Sequence, residues 1–341
     1  GLEGSPFAGN IVDICPVGAL ISKDFLHKAR AWDLDKTPSV CPSCSQGCNI
    51  TLQTRDDLVQ RLKPRENLEV NGWWMCDFGR HNYEWMNRQD RLLEPCVRGE
   101  ADTWPGALES LFKQLQGVKG GVKAVTWAHS ANEDMGLLKA LVNTLGGGEV
   151  VYRSPRTEEE VPLPGFPLLA RREDLAPNVN GAEILGFSRV GDDDGSGGLD
   201  DIGKHTGVLI VVGDALADQP ADFGASAELF VYLGSYGSEA AKNAHFVFPT
   251  TTFAEQEGSY TNVQGRVQRF WPGIRSPGSA RPGWLILGAL LAELTEGDAP
   301  ASADQAFYQV GEGTPAFGGI TYRDLGTRGA PVKTSAGVAG D

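Results

Sequence analysis

Three cysteines fall within eight positions of this chain, in the run CPSCSQGC, at Cys41, Cys44 and Cys48, and Cys76 extends the pattern to C-x2-C-x3-C-x27-C. Three thiolates on one tight loop can surround one face of a compact inorganic cube, and a fourth brought back by the chain closes it. Pro42 and Gly47 allow the sharp turns that such wrapping needs. The spacing points to a [4Fe-4S] cluster. Zinc remains open because four cysteines satisfy it too, although structural zinc sites favour paired C-x2-C knuckles. Four unligated thiols are the bland alternative.

The six cysteines of this 341-residue chain do not spread as a disulfide framework would: five precede residue 77 and the last is Cys96. Clustering of that kind reads as metal binding in a reducing compartment, hence the cytoplasm. Cys15, in CPVGAL, ends in the Cys-Pro pair with which ferredoxin-type runs close, where the last cysteine serves a different cluster from its neighbours. An ordinary buried thiol is the competing reading. Cys15 follows closely on Gly1, so its partners would precede this chain and the chain reads as incomplete. Cys96 has no cysteine neighbour and reads as structural. The net charge of -14 opposes phosphate backbones and anionic membrane surfaces. The longest apolar run, WLILGALLAEL, is short of the roughly 18 residues of a membrane span and reads as a buried helix.

Along the chain, residues 1 to 36 read as the end of one unit, with Pro38 marking the boundary, and residues 37 to 95 as a small cysteine module. Within it, NITLQTRDD and LVQRLKPREN are alternating segments joined at Asp56-Asp57, the pattern of a β-hairpin. From 96 to 296 helix and strand alternate. WPGALESLFKQL reads as a helix capped by Thr103, GVKAVTWAH as a strand and ANEDMGLLKALVNTLGGG as a helix. TGVLIVVGDA, AELFVYLGSY and HFVFPT read as strands buried on both faces, which implies a doubly wound, mostly parallel sheet. Residues 152 to 200 read as mostly loop, with one short element around AEILGF, and 297 to 341 as a flexible tail.

GNIVDICPVGAL, TPSVCPSCSQGCNI and GWWMCDFGRHNYEWMN resemble the family of the large iron-sulfur subunit of bacterial NADH-quinone oxidoreductase, respiratory complex I. VFPTTTFAEQEGSYTNVQGRVQ is similar to a segment that this family shares with molybdopterin oxidoreductases. The resemblance implies that residues 1 to 36 end a ferredoxin-like domain and that 37 to 95 form a [4Fe-4S] module on a reduced molybdopterin-oxidoreductase-like α/β domain. It implies one complete cluster on Cys41, Cys44, Cys48 and Cys76, off the main electron path. Cys15 would be the fourth ligand of a second [4Fe-4S] cluster, with a [2Fe-2S] and a further [4Fe-4S] cluster upstream. The implied partners are other peripheral-arm subunits, including the one that binds flavin and NADH, on the cytoplasmic face of the bacterial inner membrane.

Molybdenum relatives carry a lysine two residues after the fourth cysteine, where this chain has Phe78, and their cofactor-binding body is far longer; no molybdopterin is expected here. TTFAEQEGSYTNVQGRVQ reads instead as a helix carrying Glu255 and Glu257, then a turn at Asn262 and Gly265. His27, His81, His129, His205 and His245 read as ordinary polar residues, with His81 near enough to Cys76 to tune a cluster. Glu158 to Glu160 and Asp192 to Asp194 read as solvated charges. Trp73, Trp74 and Trp85 flank Cys76 as a water-excluding shell or a docking surface. No dinucleotide fingerprint or P-loop is present, so NADH would bind elsewhere. The function expected is electron transfer within NADH-quinone oxidoreductase, without an independent catalytic site. The alternatives are a relay subunit of a soluble NAD-linked formate dehydrogenase or hydrogenase, and a zinc-stabilised scaffold protein.

Overall fold

A computed structural model describes residues 4–191 and 198–333; Asp192 to Asp194 lie outside the described residues. After helix α1 (Asn10–Ile14), the chain forms a three-stranded antiparallel sheet of β1 (Asp35–Val40), β2 (Asn49–Arg55) and β3 (Leu58–Pro64). Asp56 and Asp57 both take positive φ, 53° and 58°, as a two-residue turn matched to strand twist demands. The hairpin expected there is present, with a bulge at Gln53 and Thr54. Strand β1 was hidden in the sequence by Pro38. It is an edge strand that pairs only with β2, and an edge tolerates a residue without an amide hydrogen. Helix α2 (Asp77–His81) then leads out of this layer.

A hairpin of β4 (Cys96–Val97) and β5 (Glu100–Ala101) opens the larger unit, followed by α3 (Trp104–Leu115), whose Gly106 amide donates to the Thr103 hydroxyl at 3.2 Å. There follow β6 (Val122–Trp127), α4 (Asn132–Thr144), β7 (Gly148–Arg153), the hairpin β8 (Val161–Leu163) and β9 (Phe166–Arg171), α5 (Val179–Ile184), β10 (Ser188–Arg189) and α6 (Asp200–Gly203). Strands β11 (Val208–Val212), β12 (Leu229–Gly234) and β13 (Phe246–Pro249) complete an eight-stranded sheet in the order β10-β7-β6-β11-β12-β13-β4-β5. Its first six strands are parallel, and β4 and β5 add an antiparallel edge.

Every residue of β11 and β12 is buried, so both faces must be covered. One face packs on Leu138, Leu141, Leu287 and Phe307, and the other on Leu199, Ile202 and Phe223. This is the doubly wound α/β class expected from the apolar runs. The chain winds outward in opposite directions from β6 and β11, and a crevice opens at their carboxyl ends, as such reversals produce.

Three expectations fail. Residues 253 to 270 do not include the expected helix: β14 (Gly258–Thr261) and β15 (Arg266–Phe270) form a hairpin about the Asn262–Gly265 turn. Glu255 and Glu257 are each taken by an arginine, Arg91 and Arg269, rather than by a helix surface. The expected flexible tail also folds over its described residues, 297 to 333, and residues 334 to 341 lie outside the described residues. After α7 (Gly283–Thr295), residues to 333 form α8 (Ala303–Gly313), α9 (Tyr322–Leu325) and β16 (Ala330–Pro331), which pairs with β15. Its Gly, Ala and Thr content concealed Ala306, Phe307, Val310, Phe317 and Tyr322, all buried in the main core. Residues 152 to 200 likewise hold more than the one expected element, since β8, β9 and β10 lie there beside α5. Among the described residues, no helix is long and apolar enough to cross a membrane.

Candidate metal centre

Cys41, Cys44 and Cys48 lie on the loop between β1 and β2, which closes where the Cys41 amide donates to the Cys48 carbonyl at 2.8 Å. Gly47 carries φ +62°, and a Cβ there would stand 2.6 Å from Gln268 Oε1, so both backbone and space require glycine. Cys76 caps α2, and its sulfur accepts from the Gly79 amide at 3.3 Å. The structure buries all four, each 3% or 4% exposed, and sets the Cys48 thiol within electrostatic reach of Cys41, Cys44 and Cys76. Cys41, Cys48 and Cys76 sit in one apolar cluster with Val40, Ile50, Met75, Tyr260 and Phe270.

Burial pushes the Cys41 thiol up to about 12, and the Cys48 and Cys76 thiols rise well above the ordinary range for the same reason, reinforced by their neighbours. Cys44 is also raised by burial, opposed by the Arg172 and Gln46 amides that point at it and by the charges of Arg172 and Arg171. Four crowded, desolvated thiols become thiolates only when a cation replaces their protons. Among the described residues, no three His, Cys, Asp or Glu side chains converge closely enough to hold a single metal ion. Four buried sulfurs in apolar surroundings are a donor set that fits a cube of iron and sulfide.

Gly79 divides two of the sulfurs. A Cβ on it would stand 2.8 Å from Cys41 Sγ and 3.6 Å from Cys76 Sγ. Gly79→Ala is therefore expected to cut the iron retained by the purified chain several-fold while the α/β domain keeps its far-ultraviolet dichroism. Iron content equal to wild type would show that the sulfurs have more room than this.

The sequence reading missed the residues that grip the cysteine loop. Gln46 donates to the Val70 carbonyl at 2.7 Å and accepts from Arg172 Nε at 2.7 Å. Gln268 donates to the Gly47 carbonyl at 2.9 Å, and the Val263 amide donates to the Ser45 carbonyl at 2.8 Å. The β14-β15 hairpin is thus the clamp on this loop, and no local pattern in the sequence signals a partner more than 200 residues away.

Cys15 stands apart from the four, half-buried at the end of α1 beside a cavity of about 850 Å³ that Asp24, Lys28 and Arg61 also line. The amide of Leu20, and then those of Val17, Ala19 and Gly18, hold its thiol below the usual value. Its segment is fixed to the Cys76 region, because Asn10 bonds both ways with the Met75 backbone and Arg80 pairs with Asp13 at 2.7 Å. His81 does not face the four cysteines: it is half-exposed, 4.0 Å from Asp24, and borders the Cys15 cavity. Of the tryptophans, Trp74 and Trp85 pack on the apolar cluster around the thiols, whereas Trp73 is exposed. Cys96 is half-buried beside Glu94 and Glu100.

Residues 34–88 match the family model of the molybdopterin oxidoreductase Fe4S4 domain, and residues 195–293 that of molybdopterin oxidoreductase. The chain therefore joins an iron-sulfur module to a molybdopterin-oxidoreductase-type α/β domain. It is 42% identical over 138 residues to NADH-quinone oxidoreductase subunit 3 of Thermus thermophilus, covering 39% of this chain and 18% of that protein. It is 37% identical over 155 residues to the mitochondrial NADH dehydrogenase (ubiquinone) iron-sulfur protein 1 of Solanum tuberosum, covering 44% and 21%. It is 25% identical over 406 aligned positions to the mitochondrial NADH-ubiquinone oxidoreductase 78 kDa subunit of Candida albicans, covering 84% and 56%. The chain is thus similar, over part of its length, to large iron-sulfur subunits of NADH-quinone oxidoreductases. It spans about a fifth of the length of the first two of these relatives and just over half of the third.

Proposed function

We propose that this chain is an electron-transfer segment of an NADH-quinone oxidoreductase, holding a [4Fe-4S] cluster on Cys41, Cys44, Cys48 and Cys76. The observation that carries this reading is the burial of four thiols within the region matching an Fe4S4 domain. A bound cluster would accept and release single electrons there. The protein's part is to exclude water with Trp74, Trp85 and Phe253, and to donate amides to the sulfurs of Cys44 and Cys76.

Cys15 serves as the fourth ligand of a second [4Fe-4S] cluster whose other ligands come from polypeptide preceding this chain, where a [2Fe-2S] and another [4Fe-4S] cluster also reside. The amides gathered on Cys15, and the cavity beside it, support that role. In the whole assembly, electrons pass from NADH through a flavin-bearing partner to quinone, on the cytoplasmic face of the bacterial inner membrane. The chain uses no molybdopterin: Phe78, beside Pro42 at the crevice, puts an apolar ring where the catalytic relatives place a lysine.

Anaerobic purification should yield about four irons and four sulfides per chain, with an EPR signal that appears on reduction with dithionite. Zinc without iron would overturn this reading and favour a scaffold.

A further inference from the structure

The crevice at the ends of β6 and β11 reaches Asp134, whose neighbour on α4 is Glu133, and the electron-transfer reading uses neither acid. Glu133 and Asp134 open helix α4 and are 0% and 4% exposed. Glu133 accepts from the Ser259 amide at 2.9 Å, the Ser259 hydroxyl at 2.6 Å and the Tyr322 hydroxyl at 2.7 Å. Asp134 accepts from the Ala131 amide at 3.1 Å and borders the crevice, a cavity of about 450 Å³, with His129 and Gln256. Between the acids and the cysteines stands Tyr260, buried in the same apolar cluster as Cys41 and within electrostatic reach of Cys41, Glu133 and Asp134 together.

We propose that Glu133 and Asp134 act as one buried acid site that takes up a proton when the four-cysteine cluster accepts an electron. The proposal rests on the cluster reading above. The balance is simple: the oxidised cluster gains one electron from a one-electron donor, a carboxylate gains one proton from water in the crevice, and the net charge of the buried region is unchanged. Added negative charge in a low-dielectric core raises the proton affinity of acids nearby. Burial already lifts Glu133 to about 7 and Asp134 to about 6, so the uptake falls in the neutral range.

Hydrogen bonds steady the two carboxylates, but none of their described partners is a cation. From β14 the pair meets Ser259 and Tyr260, and from α9 Tyr322, none of them cationic. Arg269 of β15 stacks on Tyr322 at 4.8 Å but is committed to Glu257, Asp304 of α8 accepts from the Tyr322 amide at 3.3 Å, and α7 presents Trp284. His129, in the crevice, is lowered to about 4 by burial and is neutral at this pH.

The test is an EPR-monitored redox titration of the cluster-loaded chain from pH 5.5 to 8.5, paired with redox-difference infrared spectra. The midpoint potential of the wild type is expected to fall as pH rises through the neutral range, with a protonated-carboxyl band growing on reduction. Both should be lost in Glu133→Gln/Asp134→Asn with the iron content unchanged. Tyr322→Phe, which removes one donor to Glu133 and keeps the ring, is expected to move the pH-dependent window upward. A pH-independent potential with an intact cluster, or a slope that survives in the double variant, overturns the proposal alone. A chain that binds no iron overturns the cluster reading and this proposal with it.

Discussion

Cys48→Ala is expected to strip the chain of its iron, from about four atoms to none, and to loosen the module of β1 to β3 with it. Cys48 is buried within electrostatic reach of Cys41, Cys44 and Cys76. Without it, three desolvated thiols remain, with Cys41 pushed up to about 12, and they hold their protons rather than bind metal at neutral pH. Because such a site is not preformed in the unfolded chain, the lost binding energy is lost folding energy. The measurement is iron and sulfide per chain together with thermal unfolding, and Cys96→Ala, outside the four-cysteine set, is expected to match wild type. Full iron in Cys48→Ala would remove Cys48 from the ligand set.

Arg91→Met is expected to cost about 3–5 kcal/mol, because it leaves a buried carboxylate without its partner. Glu255 has a side chain 2% exposed, and Arg91 reaches it with both terminal nitrogens, Nη2 to Oε2 at 2.8 Å. Arg91 also donates to the carbonyls of Ser235 at 3.2 Å and Thr250 at 3.1 Å. It therefore staples the chain leaving the cysteine module to the ends of β12 and β13. Urea unfolding would report the loss, and Arg91→Met/Glu255→Leu should recover much of it, since a pair replaced by apolar groups leaves no stranded charge. A single-variant loss below about 1 kcal/mol would show that water reaches Glu255.

The cysteine spacing, the Asp56-Asp57 hairpin and the Thr103 cap were legible because each is written in adjacent residues. So were β11, β12 and β13, whose apolar runs allow little besides a doubly covered sheet. Strand β1 was obscured because Pro38 is excluded from most strands and tolerated only at an edge, and whether a strand is an edge is decided by its neighbours. Residues 253 to 270 misled for a similar reason: Glu255 and Glu257 look like a helix face until Arg91 and Arg269 are known to meet them. The grip of Gln46, Arg172 and Gln268 on the cysteine loop depends on contacts across 126 and 221 residues, which no local pattern encodes.

That grip orders events in the life of the chain. The loop carrying Cys41, Cys44 and Cys48 leaves the ribosome before the Gln268 amide that holds Gly47, which is made more than 200 residues later. At roughly 5–20 residues per second, the three thiols spend ten seconds or more without the hairpin that holds their loop. Under the proposed cluster reading, insertion is expected to follow synthesis of β15, and a truncated chain ending before β15 is expected to leave the cysteine loop without that hold.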